Sequence, residues 1–290
     1  MSRFDSIILG DNPFFGVDHL SHERSRLRSN KYKTFENAID VIKRAKSFGI
    51  NEIMVGTRPL LNEFFKAIKQ KTDFFDQIYF HATLPYSQGY VLKLNEKGLM
   101  NTIHETLRAG GLKNELKIIA KGGLGYLKKD LYDLFEVFLD VEMLKLYKVN
   151  LKTIYLHPLV TDLALALDMK KIFERFQNHL HDSYGLNVGL CTNNFSALVN
   201  RLNEWDLNYQ HIMTSFNAAG FFMNPSRKEC ERSLQLFKGK VLAMNILAGG
   251  YFSLQESFDY IQSLPQIRNI VVGVSTVSHA EETFKLLTEA

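Results

Sequence analysis

Short runs rich in β-branched and aromatic residues alternate with longer amphipathic ones along the whole chain, and this alternation restricts the fold more than any other feature. Nine runs read as strands: "SIILG", "NEIMVG", "QIYFHAT", "KIIAK", "TIYLHP", "NVGLCT", "HIMTSF", "KVLAMNIL" and "NIVVGVS". Most are apolar on both faces, as parallel strands covered by helices should be. The stretches between them read as helices. In "TFENAIDVIKRAKSFG", Thr34 is placed as N-cap, Phe35, Ala38, Ile39, Ile42 and Ala45 form one apolar stripe, and Gly49 stands where a glycine ends a helix.

No Pro/Gly/Ser linker or low-complexity stretch divides the chain, so residues 1–290 read as one domain. Repeated βα units in a chain of 290 residues predict an α/β fold, a (β/α)8 TIM barrel, which typically needs about 250 residues. An open doubly wound sheet is the alternative, and the absence of a "GxGxxG" after the first strand weighs against its dinucleotide-binding form. Nine candidates compete for eight places. Either one is an accessory strand or one is no strand, and "NEIMVG" and "QIYFHAT" are the pair left unseparated.

Charge and cysteine content narrow the setting. The formal net charge of +4, from 35 basic and 31 acidic residues, does not call for nucleic acid or a membrane surface as partner. Two cysteines, Cys191 and Cys230, cannot build a disulfide framework and show no paired zinc spacing. No apolar run reaches the roughly 20 residues of a spanning helix, and the N-terminus lacks a signal-peptide core. A cytoplasmic protein acting on a small molecule is the expectation.

In a barrel of this kind the chemistry sits at the carboxyl ends of the strands. Those ends carry Asp11 and Asn12, Thr57 and Arg58, His81, Lys121, His157, Asn193 and Asn194, Asn217, Asn245, and Ser275 and Thr276. A polar ring closing apolar strands is what a pocket needs. Lys121 in a barrel mouth is either a desolvated amine, usable as nucleophile or proton relay, or a lysine that has already reached solvent. His157 projects at a rim as acid/base or hydrogen-bond donor, or is a core histidine bonded to a carbonyl. Asp11 and Asn12 in "GDNPFFG" are substrate ligands or turn formers. The following "SHERSRLRSNKYK" is a basic lid over an anionic substrate or a solvated loop. A metal held by Asp11, His81 and His157 lacks any ligand-spacing motif, so no metal is assigned. Cys191 reads as a packed strand residue and Trp205 as an anchor of a helix to the sheet.

Several stretches in order resemble the aldo-keto reductase superfamily: "TIYLHP" its fourth strand, "GLCTNNFSALVNRL" its fifth strand and next helix, "VLAMNILAGGYF" its seventh-strand segment, and "IRNIVVGVSTVSHAEETFKLL" its eighth strand and last helix. The likeness extends to "ILGDNPFFG" and "AIDVIKRAKSFGINEIMVG" and is strongest from Thr153 onward. The resemblance implies a nicotinamide hydride donor and a proton-delivering Asp, Tyr, Lys and His set. Lys121 and His157 match the lysine and histidine. If "QIYFHATLPYS" is the second strand, Tyr86 takes the tyrosine's place and His81 replaces the aspartate; if "GINEIMVGT" is, Met54 stands for the aspartate and the tyrosine is absent. On the cofactor side Asn193, Asn194, Asn245, Leu247, Gly249, Gly250, Ser275 and Thr276 correspond. Met213 stands where a carboxamide-binding glutamine is expected, and His279 near the arginine that selects a 2′-phosphate, so NAD(P) is implied without a preference for NADP.

The expectation is therefore a divergent barrel oxidoreductase acting on a small carbonyl or sugar-like substrate. The alternatives are a lyase, aldolase or isomerase using Lys121 as Schiff-base nucleophile, and a ligand-binding barrel without catalysis.

Overall fold

A computed structural model describes residues 3–16, 35–86 and 131–289, and in it eight parallel strands pair in chain order and close on themselves. They are β1 (Ser6–Gly10), β2 (Glu52–Gly56), β3 (Tyr79–Leu84), β4 (Asn150–Leu156), β5 (Asn187–Thr192), β6 (His211–Ser215), β7 (Lys240–Met244) and β8 (Asn269–Val272). Closure is made by the β1–β8 register, Ser6 opposite Asn269 through Leu9 opposite Val272. The two competing runs are both barrel strands, β2 and β3, and "KIIAK" lies outside the described residues. Eight of the nine candidates thus fill the eight places.

The helices are α1 (Glu36–Ser47), α2 (Leu61–Lys71), α3 (Leu131–Met143), α4 (Pro158–Ala166), α5 (Lys170–Tyr184), α6 (Phe195–Glu204), α7 (Arg227–Leu236), α8 (Leu254–Gln262) and α9 (Val277–Glu289). The expected stripe of α1, Phe35 through Ala45, is buried, and its C-terminal turn ends as predicted at Gly49. Thr34 lies outside the described residues; Phe35 occupies the N-cap position. The last helix packs on the first, with Phe284 against Phe48 at 6.2 Å and an Arg44–Glu281 ion pair, so the helical layer closes like the sheet. Trp205 ends α6 and packs on Phe173 of α5 at 5.3 Å. The ring also packs against the main hydrophobic core, which includes strand residues.

Outward strand residues such as Leu9, Ile53, Phe80, Ile154 and Ile212 are buried under the helices. Inward ones form a separate core of Ile8, Met54, Tyr155, Cys191, Met213 and Leu242. A packed layer therefore divides the barrel into two ends. Gly189 on β5 makes that layer possible: a Cβ there would lie 2.6 Å from the Tyr155 ring and 2.8 Å from the His211 carbonyl oxygen.

Below this layer, at the amino ends, Glu52 accepts hydrogen bonds from Ser6 Oγ at 2.7 Å and His81 Nε2 at 2.9 Å, and pairs with Lys152. Burial pushes the Glu52 carboxyl up, but the bonds from His81, Lys152 and Ser6 outweigh it and bring the carboxyl down to about 2. His81 was expected near the mouth. It lies instead in this lower cluster, because β3 runs on to Leu84 and places its third residue on the amino-terminal side.

Two tests follow from the interior. A carboxyl depressed in the fold contributes stability above its ordinary value of 4.5, lost as pH falls toward 2. Glu52→Gln should therefore be less stable by about 2–3 kcal/mol at pH 7, and the gap should close between pH 4.5 and about 2. Denaturant unfolding at a series of pH values measures this; a gap independent of pH would refute the assignment. Gly189→Ala should lower stability by about 1–3 kcal/mol through overpacking, and an unchanged melting temperature would show that Tyr155 can move aside.

Candidate active site at the barrel mouth

Each strand end above the packed layer hands its next residues to the mouth. After β1 the sequence "DNPFFG" forms a 3-10 turn, Asn12–Phe15, with Pro13 at its start. Phe14 and Phe15 anchor it on Phe64 of α2 at 5.9 and 5.4 Å. The turn buries Asp11, whose backbone N–H donates to the Met54 carbonyl at 3.2 Å. Asp11 Oδ2 accepts the Gly56 N–H at 3.0 Å, and Oδ1 lies 3.4 Å from Arg58 Nη2. Burial raises the Asp11 carboxyl, opposed by the Arg58 charge and the Gly56 bond.

Arg58 is the residue that sequence reading placed in the ring but gave no role. Glycine at 56 explains its position: Gly56 continues the inward-facing set of Glu52 and Met54, and a Cβ there would sit 3.0 Å from Arg58 Nε. The guanidinium thus lies over the end of β2, in space a side chain would occupy. It bonds Asn12 Oδ1 through Nη2 and covers the Phe15 ring at 5.3 Å. Only 15% of its side chain is exposed, and Nε has no hydrogen-bond partner among the described residues.

His157 follows β4, its N–H bonded to the Leu84 carbonyl of β3 at 2.8 Å, and its Nδ1 accepts the Leu159 N–H at 3.3 Å as the cap of α4. Burial, then the Arg58 charge, lowers its imidazole to about 4, so it is neutral at pH 7. A neutral ring bonded through Nδ1 as acceptor carries its proton on Nε2. Tyr86 lies two residues past β3, not after β2, and its backbone N–H donates to the fully buried Glu142 of α3 at 3.2 Å. The reading that put Tyr86 after the second strand is corrected: "EIMVG" is β2, so Met54 stands in the aspartate's place. Lys121 and the basic run Arg24–Lys33 lie outside the described residues.

The other arc of the mouth is built by loops. Asp162 of α4 accepts from Thr192 Oγ1 and from the Asn193 N–H at 3.1 Å, and Thr192 Oγ1 accepts the Asn194 N–H at 2.8 Å. Asp162 was not singled out in the sequence, having no neighbouring motif. Asn217 spends its amide on the Phe221 backbone at 2.9 and 2.8 Å and so shapes a loop. Asn245 donates to Ser215 Oγ at 2.8 Å and begins a left-handed stretch, with Asn245, Ala248, Gly249 and Gly250 at φ 54°, 46°, 71° and 88°. Ser275 gives its carbonyl to Asn37 at 2.7 Å, and the Thr276 hydroxyl accepts the His279 N–H at the start of α9. Backbone curves and helix starts of this kind suit a phosphate-bearing nucleotide. Met213 faces the packed layer with a thioether, so it offers a nicotinamide carboxamide only a weak acceptor. Asp11 and His157 stand at the mouth and His81 below, so the three cannot share a metal; no cluster of metal-ligating side chains occurs among the described residues. Likewise, no helix there is long and apolar enough to cross a membrane.

The two nearest charges can be checked directly. Replacing Arg58 by Gln removes a cation beside His157, so the imidazole should titrate above about 4, though still below its ordinary 6.5 because burial remains. Histidine resonances followed against pH read this, and an unmoved titration would separate the two residues.

No family model matches the sequence, and no curated protein matches it. The solved structures do. A Pseudomonas aeruginosa protein described as an aldo-keto reductase superposes with a TM-score of 0.61 at 12% identity, over 99% of this chain and 91% of the other. Aldo-keto reductase AKR11C1 from Bacillus halodurans, in its holo form, gives 0.57 at 11% identity over 99% and 87%. The glycerol dehydrogenase AKR11B4 from Gluconobacter oxydans gives 0.52 at 12% over 97% and 86%. With eight parallel strands closed in chain order and the helices alternating between them, the chain has the barrel fold of the aldo-keto reductases.

Proposed function

We propose that the protein is a nicotinamide-dependent oxidoreductase that reduces a small carbonyl compound at the barrel mouth. The observation that carries this reading is His157, fixed at the end of β4, neutral at pH 7, and presenting an N–H beside the Arg58 cation. That pair suits a carbonyl oxygen, which gains negative charge as its carbon is attacked. The barrel shared with structurally similar aldo-keto reductases supports the redox class.

The loops bearing Asn193, Asn194, Asn245, Leu247, Gly249, Gly250, Ser275 and Thr276 would hold the nucleotide. A reduced nicotinamide, when bound, supplies the hydride that the carbonyl carbon accepts. The oxygen takes one proton, and the product is the alcohol. The tyrosine of the resemblance is absent after β2; Tyr86, two residues past β3 and on the strand beside β4, is proposed to donate the proton in its stead. His157 orients the oxygen, and burial, helped by the Arg58 charge, keeps the imidazole neutral.

Titration with NADPH and NADH, followed by nicotinamide fluorescence and calorimetry, should show saturable binding in the micromolar range, about −8 kcal/mol. With cofactor bound, Tyr86→Phe and His157→Gln should each lower reduction of small aldehydes by about 10²-fold or more. Absence of binding at millimolar cofactor overturns the redox reading. Full activity in Tyr86→Phe removes that tyrosine from it.

A further inference from the structure

Two cations among the described residues of the mouth differ in how well they are answered. Lys145, just past α3, sits 2.6 Å from Glu142 Oε1 and 3.0 Å from the Thr57 carbonyl, with Glu142 wholly buried; this pair is saturated. Arg58 meets its carboxylate only at 3.4 Å and only through Nη2, the same nitrogen that bonds Asn12. Asp11 is drawn away from it, since its other oxygen accepts the Gly56 N–H at 3.0 Å. Nε, buried, has no partner among the described residues. A guanidinium has five N–H donors in a planar fork, and here one nitrogen carries all the recorded bonds.

Leaving a desolvated guanidinium half-answered costs stability unless something completes it. Its location indicates what. Gly56 admits it to the top of the barrel interior, Asp11 and Asn12 fix its orientation from β1, and Phe15 supports its face. It stands two strands from His157, about 9–10 Å along the sheet, near enough for its charge to act on the imidazole. A molecule bridging them is only a few atoms long.

Resting on the reductase reading above, we infer that Arg58 is the specificity-determining residue of the mouth and binds the carboxylate of a short 2-oxo acid whose carbonyl oxygen faces His157. The planar fork matches a carboxylate through two parallel hydrogen bonds, a match a lysine ammonium cannot make. Asp11 then acts as a positioning residue: it holds the guanidinium by one nitrogen and leaves the rest of the fork to the substrate. Gly56 serves the same arrangement, since a Cβ there would lie 3.0 Å from Arg58 Nε and crowd the guanidinium.

The test compares glyoxylate, pyruvate and 2-oxobutyrate with the uncharged pyruvamide, in binding to the purified full chain without cofactor, by calorimetry and by the His157 resonance. At least one oxo acid should bind at least tenfold more tightly than pyruvamide, with affinity falling as salt rises. Arg58→Gln should erase that preference while leaving pyruvamide binding in place. Because Arg58→Gln strands a buried carboxylate, the double variant Arg58→Gln with Asp11→Asn is measured as well and should also lack the preference; Arg58→Lys should keep less than a tenth of the wild-type oxo-acid affinity. Equal binding of acid and amide, no binding of any oxo acid at millimolar concentration, or a preference that survives both Gln variants overturns the inference. Oxo-acid binding in a protein that takes no nicotinamide would defeat the reductase reading alone. Turnover of neutral aldehydes with no carboxylate preference would defeat this one alone.

Discussion

The pairing of β1 with β8 is the contact on which everything else here depends. Until Ser6–Leu9 lie beside Asn269–Val272, the chain is a row of parallel strands with two unpaired edges. Closure removes both edges and aims all eight carboxyl ends at one opening. It also forces the inward residues into a volume with no other outlet. Ile8, Met54, Tyr155, Cys191, Met213 and Leu242 fill the middle, and the Tyr155 ring fits only because β5 carries glycine at 189.

That middle layer separates two polar regions with opposite economies. At the amino end Glu52 is surrounded by donors from β1, β3 and β4, and the carboxylate is more than satisfied. The cluster ties three strands together and has the marks of a structural device. At the carboxyl end the charges are less completely matched. Asp11 is raised by burial although a guanidinium is near, and His157 is lowered by burial and by that same guanidinium. What sets the two ends apart is the pairing: the carboxylate below is met by three donors, and the guanidinium above is incompletely paired.

Much of the fold was legible in the sequence because it is written in periodicity. Strands buried on both faces read as continuous apolar runs, and the stripe from Phe35 to Ala45 reads as a helix face whatever it packs on. What periodicity cannot give is level. "QIYFHAT" was recognised as a strand, yet whether His81 belongs to the mouth or to the floor depends on where β3 stops, and it stops three residues later at Leu84. Arg58 was visible as a strand-end residue; its position depends on Gly56, which in sequence looks like any glycine ending a strand. Asp162 reaches Thr192 and Asn193 across 30 residues, a relation that no local pattern encodes.

The similarity to solved aldo-keto reductases is a similarity of fold. At about 12% identity the barrel and the direction of its strands coincide, and those are consequences of topology. The end of β2 is another matter. There the chain has Met54 in the packed layer, then glycine, then an arginine folded back over it. A carboxylate at that level would have met the buried core as an added anion. The arginine instead brings positive charge to the opening and borrows Asp11 from β1 to hold it. A Cβ at position 56 would lie 3.0 Å from Arg58 Nε, so the glycine and the arginine folded over it belong together at this strand end.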